Sequence, residues 1–403
     1  MNKLSKKYKL RLYAILALVV IFVFRITFLI RMRDSGAYTS LDLYNLIQIG
    51  SILLLFLLLL KYKRLFITLK NQSINYFSLL FVLGILSGIW STNFFYSSYR
   101  AFEAIVLLWA CITLISYVSF DFEFAERFFL KLLFVIGFLS FFGLLFRRSS
   151  ISFGSMHSNG YPITGAIMAS YAFGALSENE FYAKRKKLMK RYLLFGLFLI
   201  LAGTSLGSVL SFLVAVSIVL AFSPKMNKNY IFLLIIIAFV IGLAVINASL
   251  IEGLILVNKD FEELEGLNGR TRLWEIYLQM VYEKPITGWG FDVISRQATE
   301  VYATNTHFFL MSILGGLGLL GLSVFFIGFF KLIKELFRYK RHKFPSHLAS
   351  MAALGAAFVN GGSKGYIGEH AYAETVAFFL TLAFFSICYQ YYMNYYARRR
   401  KEN

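Results

Sequence analysis

Cysteine is almost missing from this 403-residue sequence: there are two, Cys111 and Cys388. Both fall in apolar stretches, which leaves no disulfide framework and no paired-cysteine metal site. Carboxylates are scarce as well, 21 Asp and Glu against 41 Lys and Arg, and charged residues make up only 15% of the chain. With 58% hydrophobic residues and a mean hydropathy of +0.66, a soluble enzyme with one large core is excluded. No repeat relates the two halves. No small-residue cleavage site follows the lysine-rich start, which runs into an apolar stretch of spanning length, so a first membrane span rather than a cleaved leader is expected.

What is present is apolar length. Runs such as 52–60 and 230–246 carry no charge, and many blocks reach the ~20 residues that cross a bilayer as helix. The expected fold is all-α, a polytopic membrane bundle of about twelve transmembrane helices with one long external loop that contains an amphipathic helix. The spans centre on 12–29, 41–60, 76–92, 99–119, 127–146, 160–177, 190–203, 206–223, 229–248, 307–330, 347–362 and 372–393. This divides the chain into helices one to nine (1–248), the external loop (249–306), and helices ten to twelve with a tail (307–403).

The net charge of +20 is a topology signal. With this assignment, 29 of the 41 Lys and Arg fall on one side. Positive charge concentrates on the cytoplasmic side of membrane proteins, so both termini are expected there and the 249–306 loop outside. Anionic membrane lipid is the expected partner of the surplus, and nucleic acid is not.

The 249–306 loop far exceeds the ~4–6 residues of an ordinary connection, and long loops inside a compact chain are usually functional or disordered. It opens with Asp260, Glu262, Glu263 and Glu265, which lack the spacing of a calcium loop and read as a solvated acidic face. From Leu273, apolar residues recur at 276, 277, 280 and 281 with Glu275, Gln279 and Glu283 opposite. That spacing predicts an amphipathic helix on the membrane surface or capping the bundle. Arg270 and Arg272 sit at its N-terminus, where backbone N–H groups also favour anions. Pro285 ends it, and Gly288-Trp289-Gly290 makes a turn. His307 then opens the tenth span, whose Gly315, Gly318 and Gly321 read as close helix packing.

A histidine where water meets lipid moves protons near neutral pH, and an arginine fork binds phosphate. Together they point to chemistry on a phosphorylated lipid. Arg100, at the outer end of the fourth span, reads as snorkelling to lipid phosphate or as facing an internal site. His157 and Asn159, before the sixth span, could bind substrate, although Ser158 and Asn159 also suit a helix cap, the preferred reading. Arg25 sits inside the first span without an assigned role.

Gly269-Arg270, Trp274, Pro285, Gly288-Trp289-Gly290, His307 and the glycines at 315–321 together resemble the O-antigen ligase and polysaccharide polymerase family of bacterial membrane proteins. Ser87–Arg100 and the loop at 157–159 are weaker echoes. Two positions depart from the family pattern: Phe308 follows the histidine where Asn is common, and Leu206 follows Ser205 where an Arg toward the lipid diphosphate is frequent.

The resemblance implies a membrane glycosyltransferase whose donor is an oligosaccharide on a polyprenyl diphosphate and whose acceptor is a glycan hydroxyl on the external face. His307 is the expected base and Arg270 the expected stabiliser of the departing diphosphate. Arg272, Arg100, Trp274, His157 and Asn159 complete the substrate-binding set. The chemistry is expected to invert the anomeric centre and to need no metal and no cofactor. Repeat-unit polymerisation is favoured over ligation to a different anchor, and other polysaccharide-assembly membrane proteins are possible partners. A transporter of lipid-linked oligosaccharide is the rival from another class.

Overall fold

The computed structural model describes residues 6–29, 43–60, 72–119, 121–148, 160–178, 185–203, 205–223, 270–294, 308–341, 346–362, 365–368 and 371–402. Among these residues the structure is helical and has no strand. The first half gives α1 (Lys6–Leu29), α2 (Leu43–Leu60), α3 (Ser73–Leu86), α4 (Phe94–Val118), α5 (Phe122–Arg148) and α6 (Gly160–Ser177). The second gives α7 (Lys186–Ala202), α8 (Leu206–Phe222), α9 (Arg270–Glu283), α10 (Phe309–Arg341), α11 (His347–Gly361) and α12 (Ala373–Glu402).

Four described helical segments are long and apolar enough to cross a membrane: Ser73–Trp90, Phe94–Val118, Phe309–Lys340 and Ala373–Tyr391. Ile15–Thr27, Asn45–Leu60 and Leu206–Phe222 are shorter apolar helices. The expected ninth span, 229–248, lies outside the described residues.

The last span is the centre of the bundle. In Ala373–Tyr391, 94% of the residues are buried, because α12 is apolar around its whole circumference and packs against α4, α5 and α6 together. On one side of it stand α1, α2, α3 and α10; on the other, α6, α7, α8 and α11 pack together. The α6–α7 contact is close because a Cβ on Gly165 would lie 2.7 Å from the Gly196 carbonyl oxygen.

α10 runs past its expected end. Lys331, Lys334 and Arg338 continue the helix to Arg341 instead of opening a loop, since Lys, Arg, Leu and Glu are all good helix formers. Lys331 lies over the Tyr76 ring at 5.1 Å, which ties this part of α10 to α3. Next to it Glu335 caps the start of α3, accepting from the Ser73 amide at 2.9 Å and the Ser73 hydroxyl at 2.6 Å. The other end of α3 continues as a 3-10 turn, Ser87–Trp90, and α4 begins after Asn93, whose side chain accepts from the Tyr96 amide.

A second polar cluster lies between α5, α6 and the start of α7. Glu126 is fully buried, accepts from the Tyr171 hydroxyl and pairs with Arg185, which also reaches Glu123. Burial holds the Arg185 guanidinium below the usual arginine range, although Asp121 pulls the other way.

Candidate functional site

The glycines of α10 make a break. Gly318 has φ 63 and ψ −161, a conformation that glycine adopts without the steric cost of a side chain. The break lies at the end of the bundle where Trp90 sits, beside the 3-10 turn that follows α3.

The loop after α9 fills that break. The Trp289 amide donates to the Gly315 carbonyl at 2.9 Å and the Gly290 amide to the Gly316 carbonyl at 2.8 Å. In the other direction, Leu319 donates to the Pro285 carbonyl at 2.8 Å and Leu320 to the Ile286 carbonyl at 3.3 Å. Buried backbone groups freed by an interrupted helix need partners, and here one short loop supplies four. A Cβ on Gly318 would fall 2.2 Å from the Ile286 carbonyl oxygen, and one on Gly288 (φ 67) within 2.6 Å of Gly316.

Three further contacts fix the loop. Its Trp289 reaches back to α9, donating from Nε1 to the Met280 carbonyl at 2.8 Å, with the Lys284 ammonium 4.1 Å from the ring. Trp90 donates from Nε1 to the Thr287 carbonyl at 3.0 Å. The Phe291 amide donates to the Ser87 hydroxyl at 2.9 Å, and the Phe291 ring packs edge-on against Phe81.

Next in the chain, Asp292 is buried and has φ 58. It accepts from the Tyr96 hydroxyl at 2.6 Å. One turn further along α4, Arg100 lies 5.2 Å from the Tyr96 ring and 5.7 Å from the Tyr99 ring, and donates to Glu103 at 2.8 Å. Glu103 also pairs with Arg25 of α1, and both of those side chains are 0% exposed. Arg25, Arg100, Glu103 and Asp292 thus gather across α1, α4 and the loop, with Arg25 and Glu103 fully buried and Arg100 partly exposed.

α9 is the amphipathic helix expected over 273–283. Leu273 and Tyr277 are buried with Ile294 and Met311, and Trp289 and Phe308 pack on the same cluster. The Trp274 and Phe308 ring centroids are 5.8 Å apart. So α9 is a cap on the broken end of α10. Phe308, where the family pattern favours Asn, is an aromatic partner for Trp274. Near this end, between α11 and α12, Tyr366 is buried and donates to the Ala357 carbonyl, and burial pushes its phenol above the usual range.

Of the expected site residues, Arg100 and Trp274 are side by side with this assembly, but Arg100 is engaged by Glu103 and two tyrosine rings. Arg270 and Arg272 form the first turn of α9, whose described side chains begin at Leu273. His307, His157, Asn159 and the acidic stretch 260–265 lie outside the described residues. At the turn before α8, Leu206 is 57% exposed, while Ser205 accepts from Ser208 at 3.2 Å and Asn360 donates to Ser208 and Ser211. That turn carries hydroxyls in place of the family's arginine.

Sequence reasoning missed Glu103 and Asp292 and left Arg25 unexplained. For the first and last of these the signal was available: an ionised residue inside an apolar run is functional or paired by default, and two of opposite sign invite pairing. A family model described as O-antigen ligase matches residues 192–326, about a third of the chain, from α7 through α9 to the middle of α10. Over that stretch the chain is similar to the O-antigen ligase family. No curated protein matches the chain significantly. That family is one of membrane glycosyltransferase-like enzymes, and the match and the apolar helices both support an integral membrane protein. The matched stretch includes α9, the loop and the break in α10, but Arg25, Tyr96, Arg100 and Glu103 join them from outside it.

Proposed function

We propose that the protein transfers a glycan from a polyprenyl diphosphate to a hydroxyl of an acceptor glycan on the external face of the membrane, and that it polymerises surface-polysaccharide repeat units. One observation carries the reading. The loop that fills the α10 break joins α9, which begins with Arg270 and Arg272, to the helix that starts directly after His307. Trp274 packs at a tilt against Phe308, the covalent neighbour of His307, and lies one turn from Arg270.

In this reading Arg270, helped by Arg272 at the N-terminal end of α9, binds the diphosphate and stabilises the charge that grows as it leaves. His307 takes the proton of the attacking hydroxyl, a role worth ~10²–10⁴-fold in rate. Attack opposite the leaving group inverts the anomeric carbon, and the arginines supply the positive charge a metal would otherwise provide. Arg100, whose charge is shared with Glu103, belongs with Trp274, His157 and Asn159 to the substrate-binding set.

A broken helix is also a transporter feature, but transporters more often carry internal repeats, and no repeat relates the two halves of this sequence. The test is the length and location of glycan in the native host after deletion. Single lipid-linked repeats in place of long chains support polymerisation. Long chains left on the carrier lipid indicate ligation, and repeats held on the inner face indicate transport and overturn the enzyme reading.

A further inference from the structure

A carboxylate from the loop joins the charged group of α1 and α4. Arg25 and Arg100 carry two positive charges and Glu103 one negative charge, all from α1 and α4. The fourth charge comes from the loop: Asp292, 3% exposed, held by the Tyr96 hydroxyl and facing Arg100. Lifting the loop from α4 would take that carboxylate away from the Tyr96 hydroxyl and from beside Arg100, which is costly for a buried carboxylate.

We propose that Asp292 is a positioning residue for the transfer reaction. By closing the Arg25–Glu103–Arg100 group through Tyr96, it latches the 285–294 loop to α4 and so fixes α9 and the start of α10 relative to each other. This rests on the glycosyltransferase reading for its catalytic consequence, though not for the latch itself.

The backbone shows what the carboxylate is asked to do. Asp292 holds φ 58, a left-handed conformation that few side chains besides Asn and Asp adopt readily. Glycine would sit there without strain, but it would bring no charge. Immediately before it, Phe291 is seated against Phe81, with its amide on Ser87. One residue earlier, Gly290 pairs with Gly316 of α10, and Trp289 binds both Gly315 and Met280 of α9. A shift at Asp292 therefore passes through Phe291, Gly290 and Trp289 to both helices of the site. The polar groups nearest this turn are Ser87, Ser91 and Ser97. Ser87 and Ser97 lie 3.1 Å apart, and a Cβ on Gly290 would meet Ser91 and Ser97.

The experiment uses the purified full chain with a lipid-linked repeat unit as donor, comparing wild type, Asp292→Asn, Tyr96→Phe and the double variant. Asn keeps the shape and tolerates positive φ but removes the charge. Asp292→Asn is expected to lower kcat about a hundredfold, the size of effect that ~1 Å of misplacement produces, with KM for the donor unchanged. Trp90, Trp274 and Trp289, three of the four tryptophans, belong to this assembly, so emission is expected to shift to the red in the same variants. The double variant should be no worse than Asp292→Asn alone, because both changes open one latch. Should Asp292→Asn fail to purify as a single species, Tyr96→Phe, which keeps the carboxylate, carries the test. Wild-type kcat and emission in that variant, or losses that multiply in the double variant, would overturn the proposal. If the wild type transfers no glycan, the functional reading fails, and the emission still decides the latch.

Discussion

The Leu319 amide donates to the Pro285 carbonyl at 2.8 Å, joining the second half of a broken helix to the loop that precedes the first half. Replacing Gly318 breaks this arrangement twice, through backbone strain and through the contact with Ile286. Gly318→Ala is expected to cost about 1–3 kcal/mol from the backbone alone. A lower unfolding temperature in detergent, with glycan transfer lost, is the predicted outcome. An unchanged temperature would show that α10 does not need the break.

Glu103 stands between the buried Arg25 and the partly exposed Arg100, and its removal is expected to be more damaging than removal of either neighbour. Glu103→Gln leaves Arg25 and Arg100 facing each other with one carboxylate, whereas Arg25→Met leaves Glu103 still bound to Arg100. The first is expected to destabilise by about 3–5 kcal/mol, the range for breaking a buried pair, and the second by clearly less. Thermal unfolding of the two variants checks the order, and the reverse order contradicts the pairing.

At the first turn of α9 the geometry of the cation decides. A planar fork grips a diphosphate through parallel hydrogen bonds, and a lysine presents only a point charge. Arg270→Lys is therefore expected to lose most transfer activity, and Arg272→Lys a smaller part. Full activity in Arg270→Lys would place the diphosphate elsewhere.

If arginines carry the leaving-group charge, chelation has no effect. Transfer by washed membranes is expected to be the same with and without EDTA. Loss on chelation, restored by Mg²⁺, would return attention to Asp260, Glu262, Glu263 and Glu265.

α9 was legible because its signals are local. Leu273, Ile276, Tyr277, Met280 and Val281 share one helical face, and Pro285 is a stop that no neighbour overrides. The break at Gly318 was not legible, since glycines spaced by three make an equally good packing stripe, and only the pairing with 285–290 distinguishes the two. The Arg25–Glu103 pair was hidden by distance along the chain: each arginine or glutamate reads alone as an anomaly within an apolar run. Burial of α12 was readable as apolarity on every side but not as centrality, because that depends on which helices gather around it. The end of α10 was misplaced for a different reason. Lys331 and Arg338 mark where a bilayer ends, and a helix can continue past it.

The claim that holds the account together is that His307 is the base for a transfer driven by diphosphate departure. The direct measurement is elongation of a lipid-linked repeat unit by purified protein, wild type against His307→Ala, with both shown to be single species of the same size. The account predicts longer glycans and released polyprenyl diphosphate from the wild type and neither from the variant. Elongation by His307→Ala at the wild-type rate would contradict it.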